Sequence, residues 1–285
     1  MTVLITGSGG KIGRSLATLL PELGWQLRGF DRQPAAEPVE QVHGPIEQVH
    51  GDITDPHALD RAMAGVRAVV HLAGQSTEAP WPVIREANIE GTFQVFEAAR
   101  RAGVRRVVYA SSNHAVGFTP RQPSPAGSRK SPDGGPAADL AADTPARPDT
   151  LYGVSKVFGE ALGRYYCDRY GMQVACLRIG TFDDTPPDAR AMATWLSPRD
   201  CARLVDACLR TDRLGFALVW GVSANRDRWW SLDAGHALGY QPLDDASRRR
   251  SDPPAAADAA ELVGGGFTDP SFGIDEVLQR LRQES

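Results

Sequence analysis

Residues 3–13 read Val3-Leu4-Ile5-Thr6-Gly7-Ser8-Gly9-Gly10-Lys11-Ile12-Gly13, an apolar run that turns through three spaced glycines into a helical pattern. The order strand, glycine loop, helix is what a bound pyrophosphate demands. Gly7 permits the tight turn, Gly10 lets the backbone approach the phosphates, and Gly13 lets helix and strand pack closely. The helix start, with Lys11 and Ile12, adds free N–H groups and a partial positive charge. A glycine triplet alone is a weak sign. Placed at the head of a strand–helix series, it predicts a dinucleotide site.

That series follows. Short apolar runs at Gln26–Phe30, Ile46–Val49, Ala68–Leu72, Arg106–Ala110 and Val174–Ile179 alternate with helical patterns at 11–23, 56–64, 81–102 and 152–170. Such alternation means crossover units and a parallel sheet covered on both faces. Beyond Gly180 we expect a helix over 198–209, a strand over Phe216–Trp220, a helical segment near 229–238, and an alanine-rich helix after Pro253-Pro254. The stretch 119–149, crowded with Pro, Gly, Ala and Ser, reads as a long loop inserted into the domain.

With a net charge of −4 the chain lacks the basic face that a nucleic-acid partner needs. No apolar stretch approaches the ~20 residues of a membrane helix, and the N-terminus carries no basic leader pattern. Cys167, Cys176, Cys201 and Cys208 form no Cys-x-x-Cys pair and have no histidine at metal-ligand spacing. They read as reduced core thiols, with Cys201 and Cys208 on one buried helix face, and imply a cytoplasmic protein without a metal.

Candidate site residues fall at the carboxyl ends of the strands, where such sheets bind ligands. Asp31 ends the second strand and suits the adenosine ribose, which favours NAD, while Arg32 keeps NADP open. Asp52-Ile53 is placed for the adenine edge, and Leu72-Ala73-Gly74 for the pyrophosphate and nicotinamide side. Ser111-Ser112-Asn113-His114 follows the fifth strand. Further on, Tyr152 and Lys156 stand four apart, about one helical turn and ~6 Å between Cβ atoms. A free phenol with a pKa near ~10 is a poor base at neutral pH, and a cation beside it favours the phenolate.

The glycine loop, the strand-end serine, Tyr152-x-x-x-Lys156 and Asn88-x-x-Gly91-Thr92 together resemble the extended branch of the short-chain dehydrogenase/reductase superfamily. Several stretches are further similar to the bacterial uronate dehydrogenases: Ser111–His114, Pro145–Asp149 leading into Leu151–Lys156, Leu177–Gly180, and Trp220–Asn225 with Trp229-Trp230. The resemblance implies a Rossmann-type doubly wound parallel sheet over residues 1–180, interleaved with a smaller substrate-binding region over 181–285. It implies NAD-dependent oxidation of D-galacturonate or D-glucuronate at C1 to the aldarolactone, and self-association.

Carried onto these positions, Tyr152 is the base, Lys156 holds the nicotinamide ribose and lowers the phenol pKa, and Ser112 orients the C1 hydroxyl. Asn113, His114 and Ser76 would bind sugar hydroxyls, Arg190 the carboxylate, and Phe267 the sugar ring. Asn88 joins the cofactor set. Thr181 stands where the family has a serine, and its methyl narrows the site. Read without the resemblance, His114 is a hydrogen-bonded strand-end histidine, Arg190 a solvated cation, Trp229-Trp230 core or subunit interface, and Arg178 a buried ion-pair partner. The competing functions are a nucleotide-sugar epimerase or dehydratase and an NAD-binding sensor without turnover. Only 105 residues follow Gly180 to hold a nucleotide diphosphate, with Arg248–Arg250 the one basic run.

Overall fold

The computed structural model describes residues 2–33, 46–121, 139–249 and 260–273. Most of the 119–149 insertion and the expected alanine-rich helix lie outside the described residues.

Seven parallel strands form the central sheet: β1 (Thr2–Thr6), β2 (Gln26–Asp31), β3 (Glu47–His50), β4 (Ala68–His71), β5 (Arg106–Ser112), β6 (Gln173–Ile179) and β9 (Phe216–Gly221). Their order is β3-β2-β1-β4-β5-β6-β9. This is the doubly wound Rossmann arrangement. The chain runs outward from β1 to β3 and then returns to place β4 on the other side of β1. That reversal opens a crevice at the carboxyl ends of β1 and β4.

Alternation along the strands builds two cores. Val3, Ile5, Val70 and Val108 face one layer, with Leu16 and Leu20 of α1 (Lys11–Glu22) and Leu204 and Cys208 of α7 (Pro198–Arg210). Leu4, Val69, Val107 and Tyr109 face the other, against α2 (Pro56–Met63), α4 (Gly91–Arg101) and α5 (Leu151–Tyr170). Period-two burial on strands covered by helices on both sides produces this division. Cys201 and Cys208 are both buried on α7, as their spacing predicts.

Three elements differ from expectation. The segment 81–102 is not one regular helix: α3 (Trp81–Ile84) passes through a π-helical turn, Arg85–Glu90, before α4. The widened turn carries Asn88, whose amide is engaged by the Gln75 backbone. Only α8 (Asp233–Ala237) is helical in the stretch 229–238. Trp230 instead bridges to Leu140 and stacks on Trp220 with centroids 4.4 Å apart and planes within 2°. Burying these two flat rings on the sheet edge outweighs helical continuation, and both indoles are core. A short parallel ribbon, β7 (Thr181–Phe182) with β8 (Trp195–Leu196), was not foreseen. It is followed along the chain by α7, and α6 (Ala191–Thr194) lies between its strands.

Among the described residues no helix is long and apolar enough to cross a membrane.

Candidate active site

A cleft of about 810 Å³ runs along the carboxyl edge of the sheet, a volume within the range of small-molecule and cofactor sites. Its walls include Gly7, Gly10, Lys11, Ile12, Gly13, Asp31, Arg32, Asp52, Ile53, Leu72, Ala73, Gly74, Ser76, Ser112, Asn113, His114, Tyr152 and Lys156. Residues expected from strand ends, the glycine loop and the Tyr152 helix are therefore gathered along one groove.

The dinucleotide end is made mostly of backbone. Gly7 has φ +74°, and a Cβ there would lie 2.7 Å from the Ala73 nitrogen, so the turn has room only for glycine. No side chain caps α1 at Gly10, which leaves its first N–H groups to a ligand. Asp31 Oδ2 accepts from the Gly9 N–H at 2.9 Å and thereby ties the loop to the end of β2. Arg32 lies 3.7 Å from Asp52, and Asp52 Oδ1 accepts from the Thr54 N–H and hydroxyl at 2.9 and 2.8 Å. This cradle fits a dinucleotide: open backbone donors suit the phosphates, and the Asp31 carboxylate suits a ribose diol. Lys11 also crosses the groove to pair with Asp183 at 2.7 Å, a partner with no signal in the sequence.

At the other end the site is made of buried side chains. Thr150 caps α5 through its Oγ1, which accepts from the Gly153 N–H at 2.9 Å. Glu78 accepts from the Leu151 and Tyr152 N–H groups at 3.2 and 2.8 Å, adding negative charge where the helix dipole favours it. Tyr152 and Ser112 share the cleft wall, with the Ser112 side chain near enough to the phenol to lower its pKa. The Lys156 ammonium donates to the Ala110 carbonyl at 2.9 Å and lies 5.3 Å from the Tyr152 ring centroid. Burial holds Lys156 down to about 8. It pushes the Tyr152 phenol up to about 12, opposed by the neighbouring Ser112 side chain and reinforced by Asp149. The expected lowering of the phenol pKa by Lys156 is thus absent. Desolvation dominates, and the ammonium is turned toward a carbonyl. Behind them His71, between Thr6 and Thr92, is held down to about 3 by burial and then by Lys156.

Four predicted residues do not line the cleft. Asn88 is buried and spends its amide on the Gln75 N–H (2.7 Å), the Gln75 carbonyl (3.0 Å) and Ser155 Oγ (2.9 Å), so it shapes the β4 loop from behind. Thr181 Oγ1 is 2.8 Å from Thr194 Oγ1. Arg190 lies behind Asn113, which accepts from its Nη2 at 3.2 Å and donates to the Ile179 carbonyl at 3.1 Å in the amide orientation that satisfies both neighbours. Arg190 also donates to the Val263 carbonyl and lies 5.8 Å from the Trp229 ring centroid. Phe267 covers His114, with centroids 4.4 Å apart.

Arg178 is a buried ion-pair partner. It holds Glu160 through Nε and Nη2 at 2.9 and 2.8 Å, while Nη1 donates to the Ala142 and Thr144 carbonyls. Ser111 Oγ donates to the same Glu160 at 2.6 Å. Sequence reasoning missed Glu78, Asp149 and Phe182 as parts of the site. Asp149 was hidden because an acidic residue ahead of a helix reads as a cap.

A doubly wound sheet with a glycine cradle, and a Ser–Tyr–Lys set at its crevice, defines a dinucleotide-dependent enzyme of the Rossmann class. The chain belongs to the NAD dependent epimerase/dehydratase family, whose model matches residues 3–182. It is 38% identical to a uronate dehydrogenase from Agrobacterium fabrum over 94% of this chain and 96% of that protein. It is also 38% identical to an NAD-dependent glucose-6-phosphate dehydrogenase from Haloferax volcanii, over 86% of this chain and 94% of that one. Among solved structures, a mutant uronate dehydrogenase from Agrobacterium tumefaciens complexed with NAD is 35% identical. It superposes with a TM-score of 0.80 over 96% of this chain and 98% of that one.

Proposed function

We propose that this protein oxidises a hexuronic acid, D-galacturonate or D-glucuronate, at C1 to the aldarolactone. The chain is an NAD-dependent oxidoreductase. The observation that carries the reading is that Ser112, Tyr152 and Lys156 meet on one cleft wall, with the Lys156 ammonium 5.3 Å from the Tyr152 ring centroid.

An NAD held in the cleft would supply the hydride-accepting nicotinamide carbon. Ser112 orients the C1 hydroxyl, and Tyr152 takes its proton. Lys156 holds the nicotinamide ribose, and charge near the phenol favours the phenolate that burial opposes. Asp31 receives the adenosine ribose, Asp52-Ile53 the adenine, and the loop from Gly7 to Gly13 the pyrophosphate. Ser76, Asn113 and His114 read the sugar hydroxyls, and Phe267 covers the ring.

Of the cations on the cleft wall, Arg32 sits at the adenosine end, Lys11 at the phosphate end, and Lys156 beside Tyr152. The guanidinium at the sugar end is Arg190, behind Asn113, and its planar fork suits a carboxylate. Asn113 or Phe267 must yield for the acid to reach it. In this reading residues 1–180 serve the dinucleotide and 181–285 the sugar, interleaved because β9 completes the sheet.

Four free thiols, three of them buried, support a cytoplasmic setting. Self-association is supported by the exposed apolar side chains of Trp81, Val83, Phe93, Val154, Tyr165 and Tyr170 on α3, α4 and α5.

The test is NADH formation by the purified protein with NAD and galacturonate, glucuronate, glucose 6-phosphate or a UDP-sugar. We expect turnover with a uronate. NADH with the sugar phosphate alone would move the reading to that substrate. Conversion of the UDP-sugar without net NADH would assign an epimerase.

A further inference from the structure

Asp149 directly precedes the Thr150 cap of α5, and its side chain is fully buried. Its Oδ2 accepts from His114 Nδ1 at 2.7 Å, and its Oδ1 from the Thr150 hydroxyl at 3.1 Å. The surroundings leave space for this carboxylate and nothing more. A Cβ on Gly117, or on Gly264, would fall onto Asp149 Oδ2. Those two glycines are joined by the Gly264 N–H donating to the Gly117 carbonyl at 2.8 Å. Three residues beyond Gly264, Phe267 rests on His114. One carboxylate therefore sits where the segment after β5, the start of α5 and the chain near 264 meet.

An ionised carboxylate can only accept hydrogen bonds, so the proton in the Asp149–His114 contact belongs to Nδ1. Among the described residues no hydrogen bond reaches His114 Nε2, and the ring lines the cleft with Ser112 and Tyr152. An apolar side chain could fill the same volume without burying a charge. What the carboxylate adds is a fixed polarity of the imidazole.

We propose that Asp149 is a positioning residue for the sugar: it keeps the His114 proton on Nδ1 and turns Nε2 into the cleft as an acceptor for a ring hydroxyl of the substrate. This rests on the uronate reading above. A site built to accept from a hydroxyl leaves a buried nitrogen unpaired when that hydroxyl is missing or misplaced, which rejects the wrong sugar strongly.

Two measurements test the inference. In the wild-type protein, 15N shifts of His114 should show a protonated Nδ1 and an unprotonated Nε2; a proton on Nε2 in the neutral ring would overturn the proposal. In kinetics, Asp149→Asn keeps the volume but can donate to Nδ1. We expect the uronate KM to rise about 10- to 100-fold while kcat changes less and the NAD Kd, read by fluorescence titration, stays within about twofold. In a His114→Ala background, Asp149→Asn should add no further loss of kcat/KM. An equal added loss in that background, or a parallel rise in the NAD Kd, would mean that Asp149 only supports the fold. The tautomer measurement decides the point even if no uronate is oxidised, an outcome that would remove the substrate assignment instead.

Discussion

The two ends of the cleft are built from different materials. The dinucleotide end is a continuous piece of chain, residues 6–13, closed by one carboxylate from the next strand, and it works through backbone amides. The other end, which we propose for the sugar, gathers Ser112–His114, the start of α5, Arg190 and Phe267 from segments far apart in sequence, and it is built of side chains. The consequence is electrostatic. At the dinucleotide end Lys11 and Asp31 remain partly open to solvent. At the sugar end Tyr152 and Lys156 are buried and driven toward their neutral forms. A backbone site depends on space for its geometry, whereas a side-chain site depends on desolvation and on what stands behind each group.

Removing the phenol should break the sugar end most severely. Tyr152→Phe is expected to lower kcat by about 10²–10⁴-fold and to leave NAD binding nearly unchanged; a mutant that kept a large fraction of its rate would retire Tyr152 as the base. The corresponding blow to the backbone end is Gly7→Ala, which places a Cβ 2.7 Å from the Ala73 nitrogen at a positive φ. Strain of about 1–2 kcal/mol from the left-handed conformation alone, with the steric contact added, should weaken NAD binding by well over tenfold. Calorimetric titration with NAD reads this directly, and an unchanged Kd would show that the loop is not the pyrophosphate site.

Arg190→Ala sharpens the contrast within the sugar end. The uronate KM should rise by about 10- to 100-fold, the loss of a charge-assisted pair, with the KM for NAD little affected; equal rises in both would remove Arg190 from the carboxylate.

The smallest effect is on stability, and it has a favourable sign. Lys156 titrates near 8 in the folded protein against an ordinary 10.5. Between those values the unfolded chain binds the proton that the folded one does not, so wild-type stability rises with pH across that window. Below about 8 the full cost of the buried ammonium remains. Lys156→Met should therefore be more stable by about 1–3 kcal/mol at neutral pH, after allowing for the lost bond to the Ala110 carbonyl. The gain should fade toward pH 10.5, and activity should be lost. Denaturant melts at several pH values check the sign; a less stable mutant at pH 7 would show that the hydrogen bond outweighs desolvation.

The same division separates what could be read beforehand from what could not. Period-two apolar runs and helical stretches pointed to the strands of the sheet. The glycine loop, Asp31, Asp52, Gly74 and Ser112 all sit where strand ends must sit in a doubly wound sheet. Tyr152 and Lys156 followed from one helical turn. Asn88, Thr181, Arg190 and Phe267 were named by resemblance, yet all four stand behind or over the cleft wall. Their side-chain directions depend on a π-helical turn, a two-strand ribbon and a late chain segment that no short-range pattern announces. Glu78 lacked any signal because the groups it holds are distant in sequence, and Asp149, which reads as a cap, gave no sign of its distant partner His114.

The amino-acid sequence by itself determined the layered sheet, the crevice at its switch point and the one-turn spacing of Tyr152 and Lys156, because these follow from local periodicity and a handedness shared by all such crossovers. Tertiary structure alone decided which carboxylate faces which imidazole, where Arg190 is stored, and how far burial drives Tyr152 and Lys156 from their ordinary ionisation. Those outcomes depend on solvent exclusion and on contacts between remote segments, and both exist only once the chain has closed on itself.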